Sequence, residues 1–160
     1  MENSHVVGVA KDTNIARLAL VGLSDKPGTA FRIFSLLAKN KINVDIILQS
    51  IGRNDTKDIS FTVAKSDLAT AEEVLEKYKD SIGFDSVQVS DQIAKISIVG
   101  AGMINNPGVA SDMFGALYNA DININMISTS EIKVSVLVDL KDADRAVQVV
   151  HDKFFKEFGE

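Results

Sequence analysis

The chain has no cysteine and no tryptophan, and it has only two prolines, two histidines and eight phenylalanines in 160 residues. Without cysteine there is no disulfide and no thiolate metal site, and with His5 and His151 far apart in sequence an imidazole zinc site is not expected either. His5 belongs to a short apolar strand segment and His151 to an amphipathic helix, where a partly buried structural histidine is the ordinary expectation. Basic residues are scattered against an excess of acids, net charge -5, so nothing resembles a nucleic-acid footprint. Nor is there a signal peptide or an apolar run of membrane length. The expectation is a cytoplasmic protein with neither nucleic acid nor membrane as partner. At 46% hydrophobic, the composition suffices for one large or two small cores.

What the chain does have is the same segment written twice. Ile15-Ala16, Val21-Gly22, Pro27-Gly28, Ala30, Phe34, Leu37, Ile42-Asn43, Ile47 and Ser50 recur as Ile93-Ala94, Val99-Gly100, Pro107-Gly108, Ala110, Phe114, Leu117, Ile122-Asn123, Ile127 and Ser130. The shift is 78 residues between Gly22 and Gly100 and 80 between Pro27 and Pro107, so two residues were inserted in the intervening loop. A period this long suits two small domains rather than a solenoid.

Within the first copy the periodicities read strand, helix, strand, strand, helix, strand. Arg17 to Gly22 is an apolar strand, and Pro27-Gly28 opens a helix with Ala30, Ile33, Phe34 and Leu37 on one face, closed by Asn40. Asn43 to Ile51 reads as a second strand, Gly52 to Lys57 as a hairpin loop, and Asp58 to Ala64 as a strand with Ile59, Phe61 and Val63 facing inward. Ser66 or Asp67 caps a helix carrying Ala71, Val74, Leu75 and Tyr78, and Asp85 to Ser90 is the fourth strand, Val87 and Val89 inward. The second copy repeats this through its second helix, marked by Ala146, Val149, Val150 and Phe154. No fourth strand follows there, which would leave the strand at Lys95 to Gly100 with an unpaired edge. The orphan segment His5 to Ala10, with Val6, Val7 and Val9, is expected to cross over and fill it. The fold class is therefore α+β: two ferredoxin-like βαββαβ units with antiparallel sheets and helices on one face, residues 15–91 forming the first and residues 5–11 plus 92–158 the second.

Such a fold hosts many functions, so function is argued from sites. The informative one is the loop Leu23-Ser24-Asp25-Lys26-Pro27-Gly28-Thr29-Ala30. Proline fits a first helical turn, glycine permits close approach of a ligand, and the N–H groups of Gly28, Thr29 and Ala30 at the positive helix end form a seat for a carboxylate. Asp25 offers an acceptor for an ammonium beside it. Together they match a free α-amino acid, although the same residues also serve as an ordinary cap and turn.

These motifs, with Ile42 to Gln49, Val99-Gly100-Ala101-Gly102-Met103 and the run Ile127-Ser128-Thr129-Ser130-Glu131-Ile132, resemble the paired ACT domains of aspartate kinases from about Val6 to Phe155. The resemblance implies an allosteric sensor for lysine, threonine or both, feedback-inhibiting the phosphorylation of aspartate. It implies a homodimer whose effector lies between the first unit of one chain and the second unit of its partner. Asp25 would meet the ammonium, backbone at Gly28, Thr29 and Ala30 the carboxylate, and the Gln49 amide the ligand; Asn123 and Ile124 would close the pocket from the other chain, and Ser60 would tune sensitivity. Asn105 stands where the second copy would need an acid like Asp25, so no equivalent site is expected there.

No catalysis is expected from this chain alone, which has no phosphate-binding loop, no nucleophile motif and no acidic metal cluster. ATP and magnesium would belong to a kinase domain joined upstream or bound as a separate subunit. Gly100-Ala101-Gly102 lacks the third glycine of a dinucleotide fingerprint, Asn105 occupying its place. The competing reading is an ACT-domain amino-acid-binding regulator of another biosynthetic enzyme or of transcription; the 127–132 run favours aspartate kinase.

Overall fold

The computed structural model describes residues 6–52 and 54–156; His5 and Arg53 lie outside them. The chain divides into two compact units, one of Asn14–Asp91 and the other made of the segments on either side of it.

In the first unit the strands β2 (Ala16–Ser24), β3 (Ile47–Ile51), β4 (Thr56–Val63) and β5 (Ser86–Ser90) form an antiparallel sheet in the order β3-β4-β2-β5. Helices α1 (Thr29–Lys39), α2 (Leu68–Lys77) and the single turn α3 (Lys79–Ile82) contribute Ile33, Leu37, Ala71, Leu75 and Ile82 to a core shared with Leu18, Leu20, Ile59, Phe61 and Val63. Phe34 meets Phe61 edge to face, ring centroids 5.4 Å apart, the geometry favoured by the ring quadrupoles. A bulge in β2 between Leu20 and Leu23 resets the alternation, so that Leu23 turns back to the core side.

The second unit is completed by the segment from the other end of the chain. Strand β1 (Val6–Asp12) pairs antiparallel with β6 (Ile93–Gly100), from Val6 opposite Gly100 to Asp12 opposite Lys95. With β7 (Met126–Thr129) and β8 (Lys133–Asp139) the sheet order is β1-β6-β8-β7. Helices α4 (Pro107–Asn119) and α5 (Ala143–Phe155) cover Ile96, Ile98, Val134, Val136 and Val138 with Met113, Leu117, Ala146 and Val150. The crossover expected from the unpaired edge is therefore present, and it covers backbone donors and acceptors of β6 that would otherwise template aggregation. On the opposite face, the buried hydroxyls of Ser97 and Ser135 satisfy each other at 2.7 Å.

Several local expectations are corrected. Val7 occupies a bulge in β1 and is exposed, so only Val6 and Val9 of that segment meet the core. The second strand begins at Ile47 rather than Asn43, because the Thr62 hydroxyl accepts the Ile46 N–H at 3.0 Å and replaces a ladder carbonyl. The hairpin turn ends before Thr56, with Asn54 and Asp55 both at positive φ. Lys65–Asp67 is a 3-10 turn, and neither Ser66 nor Asp67 makes a side-chain cap to α2. Tyr78, just past the end of α2, is partly exposed, and Val89, on an edge strand flanked on one side only, is exposed as well. His151 is exposed on α5 and lies 4.8 Å from the Phe155 ring rather than in the core.

Candidate functional site

The β2 bulge shapes the loop that follows it. Gly22 adopts φ 80°, its N–H donates to Asp58 Oδ1 at 3.0 Å, and a Cβ there would stand 2.2 Å from Asp85 Oδ2, so any other residue would strain the backbone and displace the Asp85 side chain. Beyond it, the Ser24 carbonyl accepts both the Lys26 N–H at 3.0 Å and the Thr29 hydroxyl at 3.1 Å, while the Asp25 N–H donates to the Asp55 carbonyl at 2.9 Å. The loop is thereby clipped to the β3–β4 hairpin.

Pro27 does not enter the helix. Gly28, at φ 94°, is the N-cap and α1 starts at Thr29, because a left-handed residue cannot propagate a right-handed helix. Thr29 is turned inward: its side chain is buried, and its N–H points back to the Lys26 carbonyl at 3.4 Å. The N–H groups of Gly28 and Ala30 have no partner among the described residues, and α1 carries no acid in its first turn. A positive helix end with open donors results.

Beside it lies a residue that sequence reasoning missed. Lys57, on β4, is placed opposite Leu23 and Ile51, and its Nζ stands 3.6 Å from Asp25 Oδ1. Its side chain is only 12% exposed, whereas that of Asp25 is 57% exposed. Gln49, exposed on the edge strand β3, is opposite Ile59 and hence on the same face as Lys57, its diagonal neighbour. Asp25 thus meets Lys57 where β2 leads into α1, and Gln49 lies on the same face of the sheet as Lys57.

Ser60 is not among them. It is opposite Ala19 and Leu48 on the other face of the sheet and accepts from Arg17 at 3.4 Å, beside the buried Arg17 Nε, which has no partner among the described residues. Asn123 and Ile124 belong to the second unit, on the approach to β7. There Asn123 donates to Asn125 Oδ1 and Asn125 to Asp139 Oδ1, each at 3.2 Å, while Ile124 packs against its own core.

The corresponding loop of the second unit is filled by the chain itself. Gly100 N–H bonds the Ile132 carbonyl at 2.9 Å, Met103 N–H bonds the Glu131 carbonyl at 3.0 Å, and the Met103 side chain is buried. A 3-10 turn Met103–Asn105 follows, Pro107 stands in the first turn of α4, and buried Val109 replaces Thr29. Among the described residues no helix is long and apolar enough to cross a membrane.

Residues 18–78 and 96–154 each match the ACT domain. An aspartokinase of Helicobacter pylori is 46% identical over 151 residues, 94% of this chain but 37% of the relative, so the chain spans little more than a third of the length of that curated relative. The ligand-free regulatory subunit of aspartate kinase from Thermus thermophilus is 38% identical, with a TM-score of 0.89 over 94% of this chain and 99% of that one. Aspartokinase III of E. coli, solved in complex with lysine and aspartate, is 25% identical over 97% of this chain and 34% of its own, with a TM-score of 0.73.

Proposed function

The chain belongs to the ACT-domain family as a paired regulatory region of the aspartate kinase type, and from that premise we propose that its first unit binds a free α-amino acid, lysine or threonine, as an allosteric effector. One observation carries the reading: the exposed Asp25 carboxylate already has an ammonium for a neighbour, that of Lys57, beside a helix end whose Gly28 and Ala30 N–H groups lack partners among the described residues. An effector ammonium would take the open side of Asp25, its carboxylate would face α1, and the Gln49 amide would reach the rest of the ligand. The complex of E. coli aspartokinase III with lysine supports the choice of ligand class.

Magnitudes favour a site shared between two chains. A carboxylate at a helix end contributes ~0.3–2 kcal/mol and a charge-assisted hydrogen bond ~1.5–3 kcal/mol. Micromolar to millimolar affinity requires about 4–8 kcal/mol net of the entropy lost on association. The exposed loop alone falls short or barely suffices. A second wall, with Asn123 and Ile124 of a partner copy, would supply the remainder and link ligand binding to assembly as a homodimer. Ser60, on the far face of the sheet, would act on sensitivity through the sheet rather than by touching the ligand. The output would pass to the catalytic domain or subunit of an aspartate kinase, as feedback inhibition of aspartate phosphorylation.

Calorimetric titration with lysine, threonine and methionine, singly and in pairs, tests this. Asp25→Ala is expected to abolish effector binding with little change in melting temperature, and Asp112→Ala on α4 to bind as the parent does. Unchanged affinity in Asp25→Ala would overturn the pose.

A further inference from the structure

We infer that Lys57 is a second charged wall of the effector site and that the Asp25–Lys57 pair selects for zwitterions, accepting ligands with both an α-ammonium and an α-carboxylate; this rests on the effector reading above. Lys57 Nζ and Asp25 Oδ1 are 3.6 Å apart, beyond hydrogen-bond range. The pair is in Coulomb contact, and its donors and acceptors are not spent on each other. The two groups also differ in exposure. Lys57 is largely buried on the core side of β4, opposite Leu23 and Ile51, whereas more than half of the Asp25 side chain faces solvent.

An amino acid head group carries its own plus and minus charges on adjacent atoms. Laid against Asp25 and Lys57 in the reverse sense, it completes a square of alternating charge, ammonium on Asp25 and carboxylate on Lys57. The open N–H groups of Gly28 and Ala30 at the start of α1 would add donors to that carboxylate. No net charge is buried, and neither protein group must leave its position. A ligand with only one of the two charges leaves one member of the pair desolvated by an uncharged atom. In the second unit, the loop carries Asn105 at the place of Asp25 and is tied to the hairpin by backbone bonds.

The test crosses ligand and protein changes. The full chain is titrated with L-lysine, L-threonine and their carboxamides, in parent, Lys57→Gln and Lys57→Arg proteins, with melting temperatures recorded in parallel. The parent is expected to bind the carboxamide about tenfold or more weakly than the acid. Lys57→Gln should bind the acid weakly and lose most of that discrimination, and Lys57→Arg should retain it. Tighter binding by Lys57→Gln would make the lysine a competitor for Asp25 and overturn the inference. So would discrimination that survives in a folded Lys57→Gln, because the carboxylate would then be read elsewhere. If the parent binds none of the amino acids, the effector reading itself falls and this inference with it; in the other cases that reading stands.

Discussion

Gly22 is wedged against Asp85: a Cβ at Gly22 would lie 2.2 Å from Asp85 Oδ2 and 3.1 Å from Asp85 Cβ, at a backbone φ of 80°. The contact lies at the bulge that launches the Asp25 loop, where Gly22 N–H also holds Asp58. Gly22→Ala is therefore expected to destabilise the protein by about 1–3 kcal/mol, from left-handed strain and the displacement of Asp85. It should also weaken effector binding, since the loop register depends on the bulge. Urea unfolding with an unchanged m-value checks the first effect and calorimetry the second. A variant as stable as the parent would show that the bulge yields easily.

Removal of residues 1–10 takes away most of β1 and bares the edge of β6. Val6, fully buried, contributes about 1.5 kcal/mol or more by burial, and half-buried Val9 adds less. The truncated chain should aggregate or melt well below the parent by calorimetry or circular dichroism. Equal stability and solubility would mean that the crossover strand is dispensable.

If each effector touches two chains, binding must tighten their association, because anything that binds the dimer in preference to the monomer shifts the equilibrium by mass action. Sedimentation velocity at low protein concentration, with and without lysine and threonine, should show the dimer fraction rising with effector. The Asp25→Ala variant should not respond. A parent protein that stays monomeric and indifferent to both would remove the shared-site reading.

The duplication, the order of elements and the crossing strand were legible because each rests on a local regularity. Spacing of three and four residues marks the core faces of α1 and α4, alternation marks Ile59, Phe61 and Val63, and a missing fourth strand together with an orphan apolar segment left one economical pairing. Asp25, Gly28 and Ala30 were singled out by residue chemistry, as groups that a zwitterion requires, and Gln49 only by the resemblance to aspartate kinases. What was misread lay at element ends, where propensities are weak and neighbours decide. Pro27 stays outside its helix although its counterpart Pro107 is inside one, because the Thr29 hydroxyl and the left-handed Gly28 shape the first loop, and Val109 has no hydroxyl to do so.

Sequence alone determined that there are two like units, which residues fill their cores, and which loop carries an acid beside a helix start, since periodicity and residue chemistry are properties of the chain. Only tertiary structure decided that Lys57 reaches Asp25 and that Met103 closes the second loop. The first depends on cross-strand register, which the β2 bulge shifts by one residue so that Leu23 and Lys57 share the core side, and the second on the long-range backbone bonds of Gly100 and Met103 to Ile132 and Glu131.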